Sequence, residues 1–317
     1  MRPVTAPART RKKPVPTEPV HVTIVLPCYN EEEHVHLELD RILATMDASE
    51  YADSYELLCV DDKSTDRTLE VIRRYEAQHP RVRVMAFPRN SGSGTVRRIG
   101  TKEARGEIVV WTDADMTYPN ERIPEFVRML DEDDSFDQVV GARTTEEGTY
   151  KFLRVPAKWT IRQVAQILTG VKIPDLNSGL RAFRRSVSLP YLRLLPPGFS
   201  CVTTLTVSFL SNNHDIRYEP IEYAKRAGKS KFKFIRDAYR YILQVMRMVM
   251  YFNPIKLLMP PAITLLVLGF GKFVYDLIAH PGRVAINTLL LLTVGLLVAA
   301  VALLADLVVR SRPDAFD

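Results

Sequence analysis

The chain has 317 residues, enough for one large domain with an appended segment, and its apolar fraction of 46% is that of an ordinary globular protein. Its formal net charge is +6, its three cysteines form no Cys-x-x-Cys pair, and its six histidines lack the spacing of metal ligands. These features argue against a disulfide framework and a histidine metal site, and they favour buried free thiols in a reducing compartment.

Residues 1–20 form a basic, proline-rich segment without the apolar core of a signal peptide, so we expect a disordered tail. From residue 21, strand-like and helix-like segments alternate. The pattern predicts strands at residues 22–26, 57–60, 82–87, 108–112 and 138–141, and helices at residues 31–46, 68–78, 94–104 and 123–130. This alternation with apolar strands predicts an α/β fold whose mostly parallel sheet is covered on both faces.

Beyond residue 148 the alternation is less regular. The sequence predicts a helix at residues 159–168, a turn-rich loop and strand at 173–186, a helix at 199–210 and a strand at 216–220. The main domain is therefore expected to span residues 21–233.

The C-terminal part has the composition of a membrane anchor. Residues 234–256 mix aromatic and aliphatic residues with arginines, which is typical of an amphipathic helix in a membrane interface, although such a helix could also pack on the main domain. Residues 257–311 contain two apolar segments, about 257–279 and 284–309, each long enough to span a bilayer, and a short tail follows at 312–317.

Charges set the expected orientation of this hairpin. Lys and Arg crowd its proximal end and follow its distal end, whereas the short turn contributes only Arg283. The positive-inside rule then predicts a multi-pass protein of the cell membrane with the main domain and both termini in the cytoplasm. Lys272 and Asp276 lie one helical turn apart inside the first span, where they could pair with each other or reach toward the interface.

Two carboxylates follow the predicted strand at residues 108–112. Asp113 and Asp115 are spaced i, i+2, which in extended backbone places both on the same side of the chain. Such a pair can supply part of the ligand sphere of Mg²⁺ or Mn²⁺, with phosphates and water supplying the rest. On its own, the pair is more often a turn that closes a strand.

Polar residues also follow the first two strands. Tyr29 could stack on a base, and Asn30 has the properties of a helix N-cap. Asp61 and its neighbour Asp62 could hydrogen-bond a nucleobase imide or ribose hydroxyls, whereas Asp66 is interpreted as a helix cap.

Residues 90–94 (Asn-Ser-Gly-Ser-Gly) precede the third helix, and their glycines allow either close backbone approach to a ligand or a plain turn. Ligands of open α/β sheets lie beyond the carboxyl ends of the strands. The three strand-end loops and the Asp-x-Asp pair together therefore predict one nucleotide-diphosphate site with a metal.

These motifs resemble those of the polyprenyl-phosphate glycosyltransferases of glycosyltransferase family 2, which have the GT-A fold. The resemblance covers about residues 22–252, and the hairpin is similar to that of membrane-anchored members such as dolichyl-phosphate mannose synthases and bactoprenol glucosyltransferases. The matching stretches are residues 24–31, 60–66, 90–92, 113–115, 177–181 and 226–231.

The resemblance implies a role for individual residues. The donor nucleotide would be held by Pro27, Tyr29, Glu31, Asp61 and Asp113. Asp113 and Asp115 would hold the metal and the diphosphate. The acceptor phosphate would be bound by Arg143, Arg154, Lys158, Arg181, Arg226 and Lys231. Asp115, Arg143 and Arg154 are the residues expected to be catalytic.

Three positions depart from the family pattern. Met116-Thr117 stands where Leu-Gln is common, so Thr117 or water would replace a glutamine metal ligand. Lys158 stands where a phosphate-binding Ser is usual, and Lys63 replaces a Gly. A lysine still binds phosphate as a point charge. These departures bear on the donor sugar more than on the type of reaction.

The expected function is metal-dependent, inverting transfer of one sugar to a polyprenyl phosphate of the dolichyl, undecaprenyl or decaprenyl type. The expected cofactor is Mg²⁺ or Mn²⁺, and the expected donor is a hexose nucleotide, UDP-glucose or GDP-mannose. The resemblance also implies homo-oligomers through the membrane segments, and nothing indicates nucleic acid binding.

Two other functions compete with this one. A processive polysaccharide synthase is disfavoured because the chain has neither a Gln-x-x-Arg-Trp motif nor further spans. A membrane-anchored nucleotide-sugar sensor is disfavoured because the Asp-x-Asp pair and the arginines are intact.

Overall fold

The structure, a computed structural model, describes residues 19–144, 163, 166, 169–198, 200–224, 246–247, 250–251 and 253–311. The predicted tail at residues 1–20, the helix at 159–168 and the interface helix at 234–256 lie wholly or largely outside the described residues.

A seven-stranded sheet has the order β3-β2-β1-β4-β6-β5-β7. Its strands are β1 Val22–Cys28, β2 Tyr55–Asp61, β3 Val82–Ala86, β4 Ile108–Trp111, β5 Gln138–Arg143, β6 Arg181–Arg184 and β7 Ile216–Ile221. Pairing is parallel throughout except that β6 runs antiparallel to both β4 and β5. The predicted mostly parallel sheet is therefore confirmed, with β6 inside the segment predicted as loop and strand.

Helices cover both faces of the sheet because its central strands are apolar on both sides. Among the described residues of the main domain, the longer α-helices are α1 Val35–Asp47, α2 Thr68–Gln78, α3 Ser93–Glu103, α4 Ile123–Glu132 and α5 Cys201–Ser211, and a four-residue helix, Arg185–Ser188, follows β6. On one face, Ile24 and Leu26 pack in a core with Leu39 and Phe126. On the other, Trp111 packs in a second core with Val96 and Phe209.

The antiparallel strand β6 brings a distant loop to the end of β4. In the β4–β6 register Trp111 lies opposite Arg181. Because the strands run in opposite directions, the residues just before Arg181 lie beside the residues just after Trp111. The Asn177-Ser178-Gly179 turn thus lies beside the Asp-x-Asp pair.

Two long apolar helices follow, α6 Pro254–Ala279 and α7 Ile286–Arg310, and both are long and apolar enough to cross a membrane. Many of their large apolar side chains are exposed, as expected for surfaces that face lipid or another chain. The two helices pack closely at glycines. A Cβ built at Gly269 would lie 2.9 Å from Cδ2 and 3.1 Å from the amide nitrogen of Leu292.

The buried Asp276 fastens the turn between these helices. Its carboxylate accepts hydrogen bonds from Lys272 Nζ (3.1 Å), from the Ala285 amide (3.1 Å) and from the Thr288 hydroxyl. Of the two arrangements open for Lys272 and Asp276, the structure has the ion pair. Hydrogen-bond donors from both helices thus satisfy an acidic side chain that lies in an apolar segment.

Replacing Gly269 with Val should loosen the α6–α7 contact, because overpacking of a close helix crossing costs about 1–3 kcal/mol. We expect hydrogen exchange of the α6 and α7 amides to become about tenfold faster in the detergent-solubilised chain.

Gly271→Val is the matched control, since a Cβ at Gly271 meets nothing within 4 Å. Equal acceleration in both variants would contradict the packing described for the hairpin.

Candidate active site

The carboxyl ends of the central strands surround a cleft of about 410 Å³. Its lining comes from eight separate stretches of the chain, which the fold brings together. The lining residues are Pro27, Cys28, Tyr29, Glu31, Asp62, Asn90, Gly92, Ser93, Val96, Asp113, Ala114, Asp115, Tyr118, Arg143, Asn177, Gly198 and Tyr223. Both members of the Asp-x-Asp pair and the predicted acceptor arginine Arg143 thus share one cleft.

Asp113 is held between a buried cation and a glycine. Its Oδ1 accepts a hydrogen bond from Nη2 of Arg97, whose side chain is 3% exposed while that of Asp113 is 36% exposed. Its Oδ2 faces Gly179, where a Cβ would lie only 2.9 Å away. Sequence reasoning missed Arg97, because an arginine on a helix next to apolar residues gives no sign that it points inward.

Asp115 is fixed by the residue two positions later. Its Oδ1 accepts hydrogen bonds from the amide (3.3 Å) and the hydroxyl of Thr117. Thr117 is 1% exposed, so its hydroxyl orients the carboxylate of Asp115. The hydroxyl oxygen keeps lone pairs while its hydrogen is donated to Asp115, so the role of Thr117 as a metal ligand stays a prediction.

A buried glutamate supports the loop that carries these acids. Glu38 of α1 accepts hydrogen bonds from the Met116 amide (2.9 Å), Asn120 Nδ2 (2.6 Å) and Arg41 Nη2 (2.7 Å). Met116 has φ 61°, a left-handed conformation that such bonds stabilise. Burial raises the pKa of Glu38, while the hydrogen bonds from Asn120 and Arg41 oppose that rise.

The donor set fits a metal that shares its ligand sphere with phosphates. Among the described residues, no group of three or more His, Cys, Asp and Glu side chains is gathered to hold a metal ion. Two carboxylates at the cleft are, however, what a hard divalent cation needs when phosphate and water oxygens complete its coordination. Asp113 and Asp115 are therefore the residues that fit the expected Mg²⁺ or Mn²⁺.

Four of the five predicted nucleotide residues line the cleft: Pro27, Tyr29, Glu31 and Asp113. Asp61 does not. Asp61 is 1% exposed, and its carboxylate accepts a hydrogen bond from the Ser64 amide. Its neighbour Asp62 lines the cleft instead.

Of the two predicted helix caps, Asn30 differs from expectation and Asp66 nearly meets it. Asn30 does not cap α1, which begins at Val35; it has φ 53°, and its Oδ1 accepts a hydrogen bond from the Thr65 amide (2.8 Å). The bond ties together the loops after β1 and β2, which local sequence cannot reveal. Asp66 accepts from the Thr68 amide (3.0 Å) at the start of α2, close to the cap expected for it.

The glycines of residues 90–94 accommodate protein backbone. A Cβ at Gly92 would lie 2.3 Å from the Pro197 carbonyl oxygen, and one at Gly94 would lie 2.0 Å from that of Pro196. The loop is held from its other side by Asp62, whose carboxylate accepts hydrogen bonds from the amides of Ser91 (2.7 Å) and Gly92 (2.8 Å). The close backbone approach expected for a ligand is thus made by residues 196–198.

Arg143 also lines the cleft. It makes a bidentate pair with Asp175, with Nε 2.6 Å from Oδ2 and Nη2 2.9 Å from Oδ1. Its guanidinium carbon lies 5.3 Å from the ring centre of Tyr223. Neither Asp175 nor Tyr223 was singled out from the sequence, because long-range strand pairing is what brings Asp175 to Arg143 and Tyr223 to the cleft.

Arg181 requires a correction. It was expected to bind phosphate, but it is fully buried behind the cleft, where it donates to the carbonyl oxygens of Ser178 and Val202 and to Thr206 Oγ1. Burial lowers its pKa to about 10. In this structure its hydrogen bonds stabilise the turn before β6. The other predicted phosphate ligands, Arg154, Lys158, Arg226 and Lys231, lie outside the described residues.

Comparisons with protein families match most of the chain. The family described as Glycosyl transferase family 2 matches residues 23–189, and that described as GtrB C-terminal hairpin matches residues 253–310. The first covers every residue of the cleft lining except Gly198 and Tyr223, and the second covers α6 and α7.

Curated relatives extend the similarity. Dodecaprenyl-phosphate galacturonate synthase of Rhizobium johnstonii is 27% identical over 95% of this chain and 91% of its own length. Undecaprenyl-phosphate 4-deoxy-4-formamido-L-arabinose transferase of Edwardsiella ictaluri is 31% identical over 68% of this chain and 64% of its own. Dolichyl-phosphate beta-glucosyltransferase of Trichomonas vaginalis is 27% identical over 78% of this chain and 77% of its own.

A solved structure supports the fold. Glucosyl-3-phosphoglycerate synthase from Mycobacterium tuberculosis, in complex with Mn²⁺, UDP and glucosyl-3-phosphoglycerate, has a TM-score of 0.57 and 20% identity over 72% of this chain and 80% of its own. At this identity the likeness shows the fold, and the GT-A fold class predicted from the sequence is confirmed.

Gly179→Ala should weaken Mn²⁺-dependent binding of UDP about tenfold, since the new Cβ would displace Asp113 from its place beside Arg97. Isothermal titration of UDP in the presence of Mn²⁺ measures the effect on the full chain.

The matched control is Gly198→Ala, because Gly198 also lines the cleft but a Cβ there meets nothing within 4 Å. If Gly179→Ala bound UDP as tightly as Gly198→Ala, the close approach of Gly179 to Asp113 would not matter for the site.

Proposed function

The chain belongs to glycosyltransferase family 2, and within that family we propose that it transfers one sugar from a nucleotide-sugar to a polyprenyl phosphate at the membrane surface. The observation that carries the proposal is the cleft itself. Two fixed carboxylates, Asp113 and Asp115, lie in the same cleft as the cationic Arg143, and the chain continues into an apolar hairpin. The three relatives named above, whose names specify a polyprenyl or dolichyl phosphate, support this acceptor.

The donor half of the proposal concerns the diphosphate. Asp113 and Asp115 would hold Mg²⁺ or Mn²⁺ together with the donor phosphates, and the bound metal would supply charge neutralisation for the departing nucleoside diphosphate. Tyr29 offers an aromatic face at the cleft and Pro27 and Glu31 line it nearby, which supports their assignment to the nucleotide.

The acceptor half concerns the nucleophile. A polyprenyl phosphate is anionic at neutral pH, so its oxygen can attack the anomeric carbon without a general base. The bond from that carbon to the nucleoside diphosphate breaks as the new bond forms, and the leaving group departs with the electron pair. Direct displacement inverts the anomeric configuration. Arg143, with Arg154 and Lys158, would bind the acceptor phosphate, and Arg226 and Lys231 would complete the phosphate site.

The proposed membrane location follows from the hairpin. With both helices spanning, the main domain and both ends of the hairpin lie on one side, and the distribution of Lys and Arg favours the cytoplasmic side. The phosphate of a polyprenyl lipid lies at the bilayer interface, so a cleft anchored beside the membrane can meet it. Homo-oligomers through α6 and α7 are part of the same proposal.

The donor sugar is proposed to be a hexose, with UDP-glucose and GDP-mannose as the first candidates. The relatives named above carry galacturonate, formamido-arabinose and glucosyl groups in their names, so a donor panel should include UDP-galacturonate.

The proposal is tested with the purified full chain, undecaprenyl phosphate, Mn²⁺ or Mg²⁺, and labelled nucleotide-sugars, with and without EDTA. The expected product is a lipid-linked monosaccharide whose formation stops when EDTA is added. A water-soluble polymer would instead indicate a processive synthase. Tight donor binding without transfer from any donor would indicate a sensor.

Asp115→Asn should lower the rate of transfer about a hundredfold or more. The variant keeps the shape of the side chain but removes the negative charge that would hold the metal at the diphosphate. Initial rates at saturating donor and acceptor measure the loss.

Asp134→Asn is its control, since Asp134 is an exposed acid that pairs with Arg184 far along the sheet from the cleft. Retention of wild-type rate by Asp115→Asn would refute the assignment of the metal site.

Arg143→Ala should raise the KM for undecaprenyl phosphate about tenfold or more while leaving the KM for the donor within about twofold, because a charge-assisted contact to phosphate would be lost. The control is Arg74→Ala, which removes an exposed arginine of α2. An unchanged acceptor KM, or a change confined to the donor KM, would exclude Arg143 from the acceptor site.

A further inference from the structure

Asp175 is a carboxylate that pairs with the cleft residue Arg143, and the proposed reaction gives it no role. One carboxylate receives four hydrogen bonds there. Its Oδ2 accepts from Arg143 Nε (2.6 Å) and from the Arg143 amide (3.3 Å), and its Oδ1 accepts from Arg143 Nη2 (2.9 Å) and from the Asn177 amide (2.9 Å). Asp175 therefore holds both the side chain and the backbone of Arg143.

The pair is largely removed from solvent, with side-chain exposures of 13% for Arg143 and 10% for Asp175. Burial raises the pKa of Asp175, but the hydrogen bonds and charge of Arg143 outweigh that effect, so the pKa lies below its ordinary value. Both groups are thus charged at neutral pH. A buried ion pair adds little net stability compared with apolar packing, so its presence at a cleft wall calls for another reason.

The pair restricts the orientation of the guanidinium. Asp175 engages Nε and Nη2 in its plane, and the Tyr223 ring lies against it with 5.3 Å between the guanidinium carbon and the ring centre. Tyr223 in turn meets Tyr118 edge to face at 5.1 Å, and the Tyr118 hydroxyl accepts a hydrogen bond from the Gly179 amide (2.7 Å). A long arginine side chain is ordered in this way before any ligand arrives.

We propose that Asp175 is a positioning residue for the acceptor phosphate, which holds the Arg143 guanidinium in the orientation that binds the phosphate of the lipid. The inference rests on the proposed function and adds a residue to it. Prior ordering removes the entropic cost of fixing Arg143 when the lipid binds, and it aims the cation at one place in the cleft.

Two substitutions distinguish a positioning role of the Asp175 carboxylate from an effect of its negative charge alone. Asp175→Asn removes the bidentate pair, but its amide oxygen can still accept from Asn177, so the turn that leads to Gly179 is retained. It also removes a negative charge near an anionic ligand, which on its own would strengthen binding. Asp175→Glu keeps the charge and changes only the reach of the carboxylate. A positioning role therefore predicts weaker acceptor binding in both variants.

The experiment measures retention of radiolabelled undecaprenyl phosphate by the purified full chain in detergent, and separately the Kd of UDP with Mn²⁺. Both Asp175 variants should bind undecaprenyl phosphate about tenfold more weakly, with the Kd of UDP within about twofold of wild type. In the Arg143→Ala background, Asp175→Asn should cause no further loss, since the two residues act as one unit. Asp134→Asn, which breaks an exposed Asp–Arg pair, should bind both ligands as wild type does.

Other results overturn the inference. Tighter lipid binding by Asp175→Asn together with wild-type binding by Asp175→Glu would mean that the carboxylate only screens charge. Equal weakening of UDP and lipid binding, or additive losses in the double variant, would mean that Asp175 supports the cleft in general. A wild-type chain that fails to bind undecaprenyl phosphate refutes the proposed function itself, and the inference with it. Wild-type binding with unaffected Asp175 variants refutes the inference alone.

Discussion

The antiparallel pairing of β6 between β4 and β5 is the constraint on which the candidate site depends. The parallel strands β1, β2 and β4 alone would end in a nucleotide-type cleft with carboxylates on one side. Because β6 enters from the opposite direction, its preceding turn runs back across the carboxyl end of β4. One short segment, residues 175–179, then contacts Arg143 through Asp175 and Asp113 through Gly179. The reversed direction of β6 thus lets one segment contact two residues that line the cleft, Arg143 and Asp113.

Four carboxylates that line the cleft or contact its lining are each held by specific donors. Arg97 holds Asp113, Thr117 holds Asp115, backbone amides hold Asp62, and Arg143 holds Asp175. Like charges gathered without such partners would repel one another and shift toward their protonated forms. With partners from the protein, the carboxylates are oriented before a cation or a phosphate arrives. Such preorganisation is the form of electrostatic stabilisation that proteins supply most effectively.

The sequence predicted most of the helices, strands and loops, but it did not predict the side-chain contacts that shape the cleft. Apolar periodicity predicted α2 at its observed bounds and placed both apolar helices to within a few residues, because those patterns depend on neighbours along the chain. The Asp-x-Asp pair was found for the same reason.

Arg181 and Arg97 show what the sequence could not provide. Arg181 lies in a polar motif and was taken for a phosphate ligand, yet pairing of β6 with β4 turns it into the interior, where backbone carbonyls accept its hydrogen bonds. Arg97 gave no signal, although it holds one of the two key carboxylates. Asp175 lies in a segment that the sequence predicts only as a turn-rich loop. Each of these residues has a partner distant in sequence: Asp113 for Arg97, Val202 for Arg181 and Arg143 for Asp175. The direction of the side chain is therefore set by tertiary packing, which local sequence patterns do not reveal.

The connection between the main domain and the hairpin is also fixed by specific hydrogen bonds. Just before α6, the Tyr251 hydroxyl lies 3.4 Å from Arg193 Nη2 of the main domain, and Asn253 caps α6 by accepting a hydrogen bond from the Lys256 amide (3.2 Å). The start of the hairpin is therefore tied to the domain that carries the cleft. For a lipid acceptor this matters because the phosphate is confined to the interface, so the cleft must be held there too. A lipid acceptor diffuses within the plane of the membrane, and the orientation of Arg143 is fixed before the lipid arrives. Both features reduce the entropy lost on binding.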